Sequence, residues 1–79
     1  MTKDEIYTRL QAIFDDVFMD EVRLTPELSA KDVEEWDSIT HVSLVLAIEE
    51  KFGVRFRVGE VESAKNVGDL VDLIAARAK

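Results

Sequence analysis

The stretch 34-EEWDSITHVSLVLAIEEKFGVRF-56 holds more apolar side chains than one helix face can bury, and a serine opens it between an aspartate and an isoleucine. Asp37 and Ser38 are both good N-cap types, so the spacing predicts a helix that starts at one of them. Gly53 suits a left-handed stop and Lys51 falls in the last turn, which ends the helix at Phe52. At about 100° per residue, His41, Leu44, Val45, Ile48 and Phe52 fall within about 100° of one another, a sufficient core face. Ile39, Val42 and Leu46 make a second stripe at roughly 160° to 220° from Leu44, flanked by Glu49 and Glu50. We expect this stripe to face solvent as a docking surface, apolar in the middle and acidic at the rim. The alternative is that it packs under the preceding loop.

Working outward, Thr2-Lys3-Asp4-Glu5 fits a capping box. Ile6, Leu10, Ile13, Phe14 and Val17 follow at helical spacing, which predicts a first helix over about residues 3 to 18. Residues 20 to 37, DEVRLTPELSAKDVEEWD, contain Pro26 and several turn formers. They read as a long loop pinned by Leu24, Leu28, Val33 and Trp36. VRFRV, residues 54 to 58, alternates like a strand but has no partner strand and reads as a short extended connector. Gly59 to Ala64 is expected to form one short helical turn. Asn66 then caps a last helix whose stripe is Val67, Leu70, Val71, Ile74 and Ala78. The fold class is all-α: a small four-helix bundle of three main helices and one short one, with a long loop between the first and second, in one domain over residues 1–79.

Seventy-nine residues leave a modest core, with roughly 60% of the unfolded surface buried at this size. With no cysteine, neither disulfides nor thiolate metal sites are available. Charges recur every few residues in MTKDEIYTRL, which lacks a signal-peptide core, and no apolar run has the length of a membrane span, so a cytoplasmic address is expected. A net charge of −7 argues against nucleic acid and anionic membrane as partners and points to proteins with basic faces.

Ser38 as a plain helix cap is the simplest reading. A hydrolase triad of Asp37, Ser38 and His41 fails, because residues so close on one helical turn cannot align as orienter, nucleophile and base. What the position suits is an anion. The free amides and dipole of a helix start favour a phosphate by roughly 0.3 to 1 kcal/mol. His41, on the core-facing side, is expected to be a satisfied structural histidine and not a ligand.

Asp37-Ser38-Ile39, followed by HVSLVLAIEEKFGVRF and then NVGDLVDLIAARA, resembles the acyl carrier protein family over essentially the whole chain. In that family an Asp-Ser-Leu motif marks the serine that bears a 4′-phosphopantetheine arm. An ALEEEFG block closes the same helix, and a TVGD block precedes the last apolar repeat. The resemblance implies that Ser38, with Asp37 as the motif residue before it, receives the arm from coenzyme A on a separate, magnesium-dependent phosphopantetheinyl transferase. It implies acyl groups carried as thioesters on the arm's thiol, and a monomeric carrier that catalyses nothing and holds no metal of its own. Ile39, Val42, Leu46, Glu49 and Glu50 would dock the acyl- or aminoacyl-activating and transferring enzymes that are its partners. An aminoacyl or peptidyl carrier working with an amino acid-activating ligase is the second reading, and Asp37 counts against it. An unmodified helical interaction module is the third.

The departures concern pathway. Fatty-acid carriers usually place acidic residues at the second and fifth positions after the serine, where this chain has Thr40 and Ser43. Arg55 and Arg57 lie in a connector that is normally neutral to acidic. Trp36 replaces a small residue and is expected to anchor the loop. These differences imply a carrier dedicated to a specialised lipid, polyketide or related pathway rather than housekeeping fatty acid synthesis.

Overall fold

The computed structural model describes residues 2–57 and 59–78. Three helices form: α1, Lys3–Val17; α2, Ser38–Phe52; and α3, Val67–Arg77. Each starts at an expected cap. Thr2 accepts from the Glu5 amide, Asp37 from the amides of Ile39 and Thr40, and Asn66 from the Asp69 amide. α2 ends as its sequence dictates. Gly53 takes φ 64°, and the Glu49 carbonyl receives the amides of both Gly53 and Val54. A side chain at 53 would have to adopt a left-handed backbone that costs roughly 1–2 kcal/mol outside glycine.

The short helical element lies elsewhere than expected. A single 3-10 turn, Ala30–Asp32, sits inside the long loop. Gly59 to Ser63 forms consecutive turns, with Ser63 bonding back to the Gly59 carbonyl at 3.2 Å. Gly59, which opens these turns, takes φ 84°, a left-handed conformation outside the helical range. No strand occurs among the described residues. Val54 to Arg57 are the irregular connector expected there, and Val58 lies outside the described residues. Ala78 falls one residue beyond α3 as its C-cap.

The core is a single cluster. Ile6, Leu10, Ile13 and Phe14 of α1 meet Leu44, Ile48 and Phe52 of α2 and Val67, Leu70, Val71 and Ile74 of α3. Phe18, Val22, Val54 and Val61 close it from the connections. α1 packs on both other helices, whereas α2 and α3 touch little. On α2 the predicted core face holds, with Val45 and His41 only half-buried at its edge.

The long loop is held by specific bonds. Gln11 on α1 donates to the Val22 carbonyl at 2.6 Å and accepts the Leu24 amide at 3.2 Å. Farther on, the first two amides of α3 are spent on the loop: Val67 bonds the Leu28 carbonyl at 2.8 Å and Gly68 the Pro26 carbonyl at 3.0 Å. Those donors lack an intrahelical acceptor in any helix, so the loop acts as a cap for α3. The loop is thus placed from both sides and delivers Trp36 to the start of α2.

Candidate functional site

Ser38 is the first residue of α2 and is exposed; its hydroxyl makes no hydrogen bond to the described residues. The residues around it are fixed. Asp37 Oδ1 accepts the amides of Ile39 at 3.0 Å and Thr40 at 2.9 Å, and Thr40 Oγ1 accepts the Asp37 amide at 2.8 Å, which completes a capping box. The one hydroxyl proton of Thr40 has its nearest acceptor in the Glu35 carbonyl, 2.6 Å away. Glu35's carboxylate accepts the amides of Met19 and Asp20, at 3.3 and 3.0 Å, so both ends of the long loop meet just before the serine.

These bonds correct one expectation. The second and third amides of α2 are not free for an anion, because Asp37 already occupies them. The hydrogen bonds from Thr40, first its amide and then its hydroxyl, hold the Asp37 carboxyl below its ordinary range, with the Ile39 amide adding to the effect. At these two amides the cap carboxylate has taken the place of a free anion. Among the described residues no side-chain hydrogen bond links Ser38 to Asp37 or His41.

Trp36 anchors the loop as expected. Its ring meets Phe14 edge-on at 5.3 Å between centroids, lies 6.0 Å from Phe18, and stacks on His41 at 6.3 Å and 21°. His41 departs from expectation. Its Nδ1 accepts the indole Nε1–H at 3.1 Å, but Nε2 is buried without a hydrogen-bond partner, and Glu62 Oε1 stands 3.4 Å from it. The histidine is half satisfied.

Between α2, the 59–65 connection and the start of α3 lies an open cleft of about 620 Å³. Ser38 and Asp37 form part of its rim, with Trp36, His41 and Glu62 beside Val42, Val61 and Leu70. The volume falls within the roughly 300–1,000 Å³ usual for small-molecule sites.

The second stripe of α2 faces solvent: Ile39 is 78% exposed, Val42 58% and Leu46 60%. Its rim is uneven. Glu50 is exposed, but Glu49 is half-buried and its carboxylate accepts the Phe56 amide at 2.9 Å, so it also holds the connector. Arg55 and Arg57 are exposed. Met19, 94% exposed at the start of the long loop, escaped the sequence reading because it lies outside any periodic segment. Gln11 and Glu35 escaped it as well, since side-chain bonds to a distant backbone leave no periodic trace. The described residues contain no cluster of potential metal ligands, and none of their helices is long and apolar enough to cross a membrane.

Comparison with known proteins places these features. The family described as "Phosphopantetheine attachment site" matches residues 8–74. An acyl carrier protein of Acidothermus cellulolyticus is 43% identical over 76 residues, 95% of this chain and 90% of that protein. Acyl carrier protein 2 of Ralstonia nicotianae is 35% identical over 94% of this chain and 93% of its own length. The solution structure of the holo acyl carrier protein of Geobacter metallireducens superposes with a TM-score of 0.75 at 38% identity, covering 96% of this chain and 84% of that one. A match over most of the chain in family, sequence and fold together leaves one assignment: the chain belongs to the phosphopantetheine-binding acyl carrier proteins, a carrier and not an enzyme, whose cofactor is a covalently attached 4′-phosphopantetheine.

Proposed function

We propose that Ser38 bears the 4′-phosphopantetheine arm, in a single carrier domain that works in a pathway more specialised than housekeeping fatty acid synthesis. The observation that carries the reading is the position of Ser38: an exposed, unengaged hydroxyl at the first residue of α2, on the rim of an open cleft. The arm supplies a thiol for acyl thioesters, which this cysteine-free chain lacks. The chain's own residues do the rest. Asp37 and Thr40 hold the helix start rigid so that the hydroxyl stands at a fixed point, and the cleft beside it shields part of the arm or cargo from water.

Ile39, Val42 and Leu46 form the apolar centre of a docking surface, with Glu50, and in part Glu49, at its rim. A phosphopantetheinyl transferase and acyl-activating or acyl-transferring enzymes with basic, partly apolar patches are the partners that suit it, met by a monomer in the cytoplasm. The specialised reading is supported by uncharged Thr40 and Ser43 and by exposed Arg55 and Arg57, which thin the negative field that would steer a basic partner.

The test is intact mass after incubation with coenzyme A, magnesium and a broad-specificity transferase. One phosphopantetheine should be added to the unmutated protein and none to Ser38→Ala, whose helical circular dichroism should be unchanged. Full modification of Ser38→Ala, or none of the unmutated protein, would refute the assignment.

A further inference from the structure

His41 is a donor waiting for an acceptor. Because the Trp36 indole N–H donates to Nδ1, the proton of the neutral ring sits on Nε2. That nitrogen is closed off from solvent and has no hydrogen-bond partner. Glu62 Oε1 is 3.4 Å away but lacks the alignment of a hydrogen bond. A buried donor left in this state costs stability that a well-placed acceptor would restore.

The same imidazole lines the cleft at Ser38, whose other walls include the apolar Val42, Val61 and Leu70. Apolar walls with a few convergent polar groups are the usual form of a site that orients a small ligand, and of the polar groups lining this cleft His41 offers the buried atom that has no partner. Glu62 is exposed on a long side chain, so it can swing off Nε2 at the cost of a rotamer change. Charge selects the kind of acceptor. Asp37 and Glu62 outweigh Lys65 along the lining, which disfavours a carboxylate and leaves a neutral carbonyl oxygen as the better partner.

We propose that His41 is the polar anchor of this cleft, its Nε2–H donating to a neutral carbonyl oxygen brought in on the arm, either an amide oxygen of the arm or a carbonyl oxygen of the cargo. The inference rests on the reading of Ser38 as the attachment point. Trp36 is then a positioning residue, since its indole sets which ring nitrogen carries the proton.

The experiment compares four forms of the ¹⁵N-histidine-labelled protein: apo, holo, hexanoyl and 3-oxohexanoyl, each verified by intact mass. The readouts are the Nε2–H resonance of His41 and the Tm. If an arm amide is the acceptor, the resonance moves downfield on going from apo to holo. If the cargo is, it moves only on acylation: in both acyl forms when the acceptor is the thioester carbonyl, and in the 3-oxohexanoyl form alone when it is the 3-oxo group. In whichever form shows the shift, Tm should rise by roughly 4 to 8 °C over the form before it. His41→Asn keeps an acceptor for Trp36 but has no atom at the Nε2 position, and should lose that rise; His41→Gln keeps a donor there and should retain part of it. A stationary resonance in every mass-verified form overturns the inference, as does a full Tm rise in His41→Asn. A chain that takes no arm overturns it too, and the mass identifies that failure as one of attachment and not of the cleft.

Discussion

The Gly68 amide and the Pro26 carbonyl are hydrogen-bonded at 3.0 Å, an approach that glycine permits: a Cβ at 68 would stand 3.1 Å from that oxygen and 3.3 Å from Pro26 Cβ. Replacing a helical glycine by alanine ordinarily gains about 0.5–1 kcal/mol. Here the crowded oxygen is tied to the same residue and cannot retreat without losing the bond. Gly68→Ala should therefore destabilise the protein, by about 1 kcal/mol, in urea denaturation. A stabilised variant would show that the loop moves freely.

The two faces of α2 should separate cleanly. Leu44 is fully buried and Leu46 is 60% exposed. Leu44→Ala should cost about 2–5 kcal/mol, whereas Leu46→Ala should stay near 0.5 kcal/mol and slow transfer to a partner enzyme instead. The reverse ranking in thermal unfolding would invalidate the assignment of faces.

Acid should weaken the start of α2. The Asp37 carboxyl is held below its ordinary 3.8, chiefly by the Thr40 amide, so the folded state takes up its proton less readily than the unfolded chain. Its contribution is complete well above pH 3.8 and disappears as the pH drops through the lower folded value. Asn caps as well as Asp without titrating. The stability difference between the native protein and Asp37→Asn should thus be flat above pH 5 and move in favour of Asn on further acidification, as measured by chemical denaturation across pH. A pH-independent difference would rule out Asp37 as the titrating cap.

Restoring negative charge at the docking face should be attempted at Ser43, not at Thr40. Ser43 is exposed, while Thr40 bonds both the Asp37 amide and the Glu35 carbonyl. Thr40→Asp would bring a second carboxylate against Asp37 and lose the donation to Glu35, at a cost of about 1 kcal/mol. Ser43→Glu should be close to neutral in stability and should raise the rate of acyl transfer with a basic fatty-acid-type enzyme, the gain shrinking as salt increases. A gain that ignores ionic strength would argue against electrostatic steering.

Helix positions were legible in the sequence because they depend on neighbours: caps at Thr2, Asp37 and Asn66, a glycine stop at 53, and apolar spacing that picks out Leu44 and Ile48. Exposure of the Ile39 stripe followed from counting faces in a bundle too small to cover two. What escaped depends on distant pairs. The bonds of Gln11 to Val22 and Leu24, of Glu35 to Met19 and Asp20, and of Glu49 to Phe56 join residues with no periodic relation. The unmatched Nε2 of His41 escaped for a different reason: a helical wheel reports which way a ring points, not which of its nitrogens finds a partner.

The central place of α1 has a consequence during synthesis. Its apolar face, Ile6, Leu10, Ile13 and Phe14, is covered from one side by α3, which begins at Val67, while α2 and α3 give each other little support. At roughly 5–20 residues per second, the ribosome delivers α3 several seconds after the end of α1. Throughout that interval α1 and α2 can form no more than a partial core, so the nascent carrier should stay pliable until its last helix clears the exit tunnel. A chain released before Val67 should show little amide protection in α1, and one that includes α3 should protect it throughout.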